Sequence, residues 1–186
     1  MDKKPTVLVV DDEIDIANEI VSILDETKEY NILRAGDGKD AVEKVRSNEI
    51  DVVLLDIRMP NMTGIDALKE IKASKNSPEV IMLTALDDSL NAWEASKHGA
   101  YDYLTKPFET APLLMRTKRA AEKSIYSKRF NKNWELLDSL RVMNHNDPSR
   151  ASKIWDRLHD ETDRRGLSHS TDLPIEVVQE IFDSIQ

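Results

Sequence analysis

The sequence predicts an α/β fold: a five-stranded parallel sheet, doubly wound with helices on both faces, followed by a small all-helical C-terminal region. Three observations predict it. Short apolar, β-rich runs alternate five times with stretches whose apolar residues recur at helical spacing. Turn-forming residues punctuate the joins, as at Gly36-Asp37-Gly38, Pro60-Asn61 and Ser77-Pro78. After Thr110 the strand-like runs stop and only helical spacing remains. Strands that alternate with helices need crossover connections, and these make a parallel sheet covered on both faces.

Each element has its own signal. Thr6–Val10 is a continuous apolar run, as in a strand buried on both sides. Ile16, Ile20, Ile23 and Leu24 give helical spacing over 14–25. Residues 30–35 form a second short strand, and Ala41, Val42 and Val45 mark the helix after it. Residues 51–55 are a third strand, and Ile65, Leu68 and Ile71 open a third helix. Residues 80–84 are the fourth strand, and a helix over 87–97 ends at Gly99, a capping glycine. Residues 101–105 are the fifth strand, with Lys106-Pro107 after it.

Composition bounds the function. The chain has 186 residues, room for one domain with an appendage or for two small domains. With 40% hydrophobic and 33% charged residues it reads as globular. No cysteine is present, which excludes disulfides, thiolate catalysis and cysteine zinc sites. The apolar run 7–10 is too short for a secretion signal, and no stretch is long enough to span a bilayer. A cytoplasmic protein without membrane contact is expected. Charge is uneven: residues 1–110 hold 13 basic and 23 acidic side chains, a net −10, whereas residues 111–186 hold 13 and 12, a net +1.

In a parallel sheet of this kind, ligands sit beyond the carboxyl ends of the strands. There the sequence places Asp11 and Asp12 after the first strand, Asp56 at the end of the third, Thr84 at the end of the fourth and Lys106 at the end of the fifth. Taken singly, the acid pair reads as a helix cap, Asp56 as a loop residue and Lys106-Pro107 as a turn. Together they form a set. Three converging carboxylates repel, and a hard divalent cation such as Mg²⁺, which takes oxygen ligands and keeps several waters, resolves that repulsion. Phosphoryl transfer needs a nucleophilic oxygen, neutralisation of the phosphoryl charge and an orienting donor. Asp56, the metal with Lys106, and Thr84 supply these in turn.

The segments VLVVDDE, LLDIRMPNMTGID, VIMLTA and GAYDYLTKPF resemble the corresponding stretches of two-component response-regulator receiver domains, over about residues 5–120. The resemblance implies a flavodoxin-like (βα)5 receiver over residues 1–125, followed by a helical output or dimerisation region over 126–186. It implies that Asp56 accepts the phosphoryl group, that Asp12 binds Mg²⁺ directly with Asp11 assisting through water, and that Arg58 lends its backbone carbonyl to the metal. By the same resemblance Thr84 and Lys106 contact the phosphoryl group, and the Lys106–Pro107 bond is cis. Thr84 and Tyr103 become the switch pair that reshapes the face made by the fourth helix, fifth strand and fifth helix. Trp93 lies on or near that face, or fills the core. Arg58 and Leu86 stand where family members vary and tune the lifetime of the acyl phosphate. Glu13 favours the start of the first helix. The implied partner is a sensor histidine kinase or a phosphotransfer protein, and the implied activity is a switch, not an enzyme.

The C-terminal part matches no output module we recognise. Seven cations between Arg116 and Lys132, against Glu122 alone, sit on a fifth helix that runs past the domain. Three short helical segments are expected after it: residues 134–143 with Leu136, Leu140 and Met143 on one face, a helix opened by Asp147-Pro148 and closed at Gly166, and a last one opened by Asp172 and Pro174. Two outputs stay open, a protein contact or homodimer and a DNA- or RNA-binding surface built on the basic helix and the terminal helices. His159-Asp160-Glu161 resembles a histidine-kinase acceptor site but needs no function as an exposed helical histidine. His98, His145 and His169 show no metal-ligand spacing. A phosphatase of the haloacid-dehalogenase type would place two aspartates two apart after the first strand. Here those positions are Asp11 and Glu13, and Asp56 would go unused.

Overall fold

A computed structural model describes residues 4–74, 77–85, 89–167 and 173–185, without the side chains of 89–92, 129, 132–134, 136–146, 148 and 175. Five strands form one parallel sheet in the order β2-β1-β3-β4-β5. They are β1 (Thr6–Val10), β2 (Asn31–Ala35), β3 (Val52–Asp56), β4 (Glu79–Ala85) and β5 (Asp102–Lys106). The intervening helices are α1 (Ile14–Thr27), α2 (Gly38–Ser47), α3 (Gly64–Lys72) and α4 (Ser89–Lys97). Three helices follow: α5 (Thr110–Asn146), α6 (Pro148–Arg164) and α7 (Ile175–Ser184).

Strand alternation divides the core into two layers. Leu8, Val10, Val53, Leu55, Val80 and Met82 point to one side, where α2, α3 and α4 contribute Val42, Leu68, Ile71 and Ala95. Val7, Val9, Val52, Leu54, Ile81 and Leu83 point to the other, against Ile20 and Leu24 of α1 and Leu113 and Ala120 of α5. Because both faces are covered, the central strands carry no polar alternation. Local signals then set the helix starts. Asp37 caps α2 by accepting the Asp40 amide, and Thr63 caps α3 by accepting the Asp66 amide.

The chain leaves β1 for β2 on one side and then crosses to β3 on the other. That reversal opens a crevice between the carboxyl ends of β1 and β3, where ligands bind in folds of this type. Strand boundaries differ from the sequence expectation by a residue or so. β3 and β5 each run on into the polar residue that closes them, Asp56 and Lys106, and β4 is one residue longer at each end, from Glu79 to Ala85. A ladder is made by backbone groups, so side-chain polarity does not end it. Leu86 and the start of the fourth predicted helix, at Asp87, lie outside the described residues.

The chain divides into two compact units, Met1–Ile125 and Tyr126–Gln186. The separate helix expected over 134–143 does not exist. Those residues belong to α5, which runs unbroken to Asn146. The physical reason is plain in the sequence: neither glycine nor proline occurs between Leu113 and Asn146. The faces expected for Leu136, Leu140 and Met143 concern side chains outside the described set, as does His145, and His169 and Asp172 also fall outside. In the second unit α6 and α7 share a core of Ala151, Ile154, Leu158, Leu173, Val178, Ile181 and Phe182. Asp147 caps α6 and accepts the Arg150 amide at 3.1 Å. Gly166 ends the turn after α6 at φ 64, a conformation that L side chains rarely adopt. Among the described residues no helix is long and apolar enough to cross a membrane.

Candidate functional site

Asp11 follows β1 and is 3% exposed, while Asp56 closes β3 and is 6% exposed. Lys106, the last residue of β5, reaches across β4 to both. Its Nζ lies 2.7 Å from Asp11 Oδ2 and 2.6 Å from Asp56 Oδ1. The remaining carboxylate oxygens are also engaged. The Glu13 amide donates to Asp11 Oδ1 at 3.0 Å, and the Arg58 amide donates to Asp56 Oδ2 at 2.7 Å. Charge-assisted bonds of this length are the strong ones, and they fix the direction in which each carboxylate faces.

Two carboxylates therefore share one ammonium. Burial raises the Asp56 pKa, with the neighbouring Asp11 charge acting the same way, and the bonds from Lys106 and the Arg58 amide oppose this without cancelling it. Burial pulls Lys106 down, but hydrogen bonds and attraction from Asp11 and Asp56 outweigh it and leave its pKa raised. The two directions agree on one picture: Lys106 is firmly charged and the site still holds more negative charge than it neutralises.

The other expected site residues fall around this centre. Asp12 is exposed beside Asp11. Thr84 is buried on β4, one residue beyond Leu83, the register partner of Asp56. Arg58 is exposed, and its backbone amide donates to Asp56 Oδ2. Tyr103 on β5 is 54% exposed and Trp93 on α4 is 63% exposed, which removes the core-filling reading of Trp93. Lys97 Nζ lies 3.3 Å from the Trp93 ring centroid. The Lys106–Pro107 bond is cis.

Gly64, given no role of its own by the sequence, lies against the end of the strand that carries Asp56. A Cβ there would stand 2.0 Å from the backbone oxygen of Asp56, and the Gly64 amide donates to the Ile57 carbonyl at 2.9 Å. The first turn of α3 is thereby packed directly onto the end of β3. No sequence signal marks such an approach except the glycine itself.

Among the described residues no group of three or more His, Cys, Asp or Glu side chains is arranged as a metal cage. The donor set nevertheless suits Mg²⁺. It offers hard oxygens only, carries excess negative charge and opens to solvent at Asp12, and Mg²⁺ asks for few protein ligands because it keeps several waters.

With this geometry in hand, the likeness to known proteins is specific. Residues 7–118 match the family model for the response regulator receiver domain. The receiver domain of the Francisella response regulator 1452 is 38% identical, with 64% of this chain and 98% of that one covered at a TM-score of 0.59. A response regulator receiver domain protein from Clostridium thermocellum is 35% identical over 64% and 95% of the two chains, at a TM-score of 0.60. NtrX from Brucella abortus is 30% identical over 68% of this chain but 28% of its own, at a TM-score of 0.62. The chain belongs to the response regulator receiver domain family.

Proposed function

We propose that this protein is a phosphorylation-driven switch in a two-component phosphorelay. In this reading it takes a phosphoryl group from a phosphohistidine of a sensor kinase or phosphotransfer protein onto Asp56. The observation that carries it is the Lys106 ammonium seated between Asp11 and Asp56. A free oxygen lone pair of the Asp56 carboxylate attacks phosphorus, the P–N bond breaks, and its electron pair leaves on the imidazole nitrogen, which takes up a proton. Lys106 is placed to hold a phosphoryl oxygen, and Thr84 to donate to another. Asp11, Asp12, Asp56 and the Arg58 carbonyl would hold Mg²⁺, which when bound neutralises phosphoryl charge. The protein turns over no separate substrate and acts as a switch, not an enzyme. We place it in the cytoplasm, where ATP-fed kinases supply phosphohistidine.

The readout we propose is the α4-β5-α5 face. Trp93 on α4, Tyr103 on β5 and Met115 near the start of α5 are large exposed side chains on its three elements. Movement of Thr84 toward the phosphoryl group would let Tyr103 turn inward and change that face, biasing a protein contact or homodimer. A nucleic-acid output through the basic helix is less favoured, because Arg116 is paired with Asp102 and Lys123 with Glu79. Solution mass measured with Mg²⁺, before and after beryllofluoride, tests this output. A mass that doubles in the wild type and not in Asp56→Ala supports it. An unchanged mass in the presence of bound beryllofluoride rejects dimerisation as the output.

A further inference from the structure

The edge of the sheet remote from Asp56 holds a second charged arrangement that the phosphoryl chemistry does not use. Thr6, Asp51 and Glu79 stand in a row across the starts of β1, β3 and β4. The Asp51 amide donates to the Thr6 carbonyl at 2.9 Å, and the Glu79 amide donates to the Asp51 carbonyl at 3.0 Å. Asp51 Oδ2 accepts the Thr6 amide at 2.8 Å, and its Oδ1 accepts from Ser124 Oγ of α5 at 3.5 Å. Glu79 is 9% exposed and meets two ammonium groups. Lys72 Nζ of α3 lies 3.6 Å from Oε2, and Lys123 Nζ of α5 lies 3.1 Å from Oε1. Lys72 also donates to the Pro78 carbonyl at 2.7 Å, and Lys123 sits 4.8 Å from the centroid of the Tyr101 ring. A strand of five residues separates this edge from Asp56, roughly 16 Å at the usual rise.

Two features give the arrangement a purpose. Burying a carboxylate is costly unless partners offset it, so Glu79 is a poor way to fill space and a good way to demand a particular cation at a particular place. The residues it and Asp51 demand, Lys123 and Ser124, are the last turn of α5 before the first compact unit ends at Ile125. Upstream, α5 is held by the buried side chains of Leu113, Ala120 and Ala121 and by the Arg116–Asp102 ion pair. Lys123 and Ser124 add directional polar contacts in the last turn before Ile125.

We propose that Asp51 and Glu79 form a clamp that fixes the register and order of α5 where it exits the receiver unit and continues beyond Ile125. The clamp is independent of the reading of Asp56. Amide hydrogen exchange on the full chain tests it, comparing wild type with the double variants Asp51→Asn/Glu79→Gln and Lys123→Met/Ser124→Ala. Exchange over residues 119–132 is expected to rise about tenfold in either variant, the scale of losing one charge-assisted bond. Exchange in β1 and β3 and chemical phosphorylation of Asp56 should stay as in the wild type. Unchanged exchange over 119–132, or an equal rise throughout β1 and β3, overturns the proposal. Should the strand-side variant fail to fold, the helix-side variant decides alone, since Lys123 is half-exposed and Ser124→Ala removes only a hydroxyl.

Discussion

As the proposed phosphoacceptor, Asp56 would have to be buried enough to exclude competing water and charged enough to attack phosphorus, and its burial comes at a cost in stability. Its pKa is raised in the folded protein by burial and by Asp11, so the folded state binds the proton more tightly than the unfolded chain does. Above the folded pKa the protein carries a buried charge at a penalty, and the penalty disappears as pH falls from the folded pKa toward the ordinary value of 3.8. Asp56→Asn should therefore stabilise the metal-free protein at neutral pH, on the order of 1–2 kcal/mol by urea unfolding, because Lys106 keeps Asp11 as partner. The gain should vanish near pH 4. Gly64→Ala should act oppositely. Its methyl group meets the Asp56 carbonyl, and overpacking of that kind costs about 1–3 kcal/mol, with loss of phosphorylation as the end of β3 shifts. The two residues also differ in legibility. Asp11, Asp56 and Thr84 could be read from the chain because each closes an apolar run at a strand end, and Lys106 because it stands with Pro107 at the end of the fifth strand. Gly64 could not, since its need is a contact between α3 and β3 that only the folded chain makes.

At the scale of elements, periodicity carried most of the reading. Val7 to Val10 and Val52 to Leu55 alternate between two buried layers, so their unbroken apolar runs identified central strands and, with them, a parallel sheet. The misjudged element was α5. The apolar spacing of Leu136, Leu140 and Met143 suggested a separate helix, whereas the absence of glycine and proline was the better guide to continuity. The second unit rests on caps and on one shared core, so its helices should respond to single substitutions. Asp147→Ala removes the acceptor of the Arg150 amide and should cost about 1 kcal/mol, visible as earlier thermal loss of helix. Glu161 on α6 has its pKa lowered by its bond from Arg165, with Arg164 adding to it. That contribution is present above the ordinary value of 4.5 and is lost as pH falls below it. Glu161→Gln should accordingly flatten the acid limb of helix loss.

At the scale of the molecule, the chain joins a receiver unit whose proposed chemistry is legible in its strand-end residues to a helical unit whose sequence carries no such signal. The difference is chemical. Phosphoryl transfer demands particular side chains at fixed places in a fold, whereas a helical hairpin that docks or pairs demands only apolar faces, which every folded hairpin has. Ligand binding should reveal the asymmetry. Mg²⁺ with beryllofluoride should raise the stability of the receiver unit by mass action, about 2.7 kcal/mol at a hundredfold excess over Kd. Lys106→Ala should lose most of that gain while still binding Mg²⁺, as read by denaturation with and without fluoride.

The most direct test of the central claim is the intact mass of the full chain after incubation with Mg²⁺ and phosphoramidate, a small donor that carries the same P–N bond. We predict one added phosphoryl group in the wild type, removed by hydroxylamine as an acyl phosphate must be, and none in Asp56→Asn. A phosphoryl group that persists in Asp56→Asn, or that survives hydroxylamine, would contradict the assignment of Asp56 and the switch built on it.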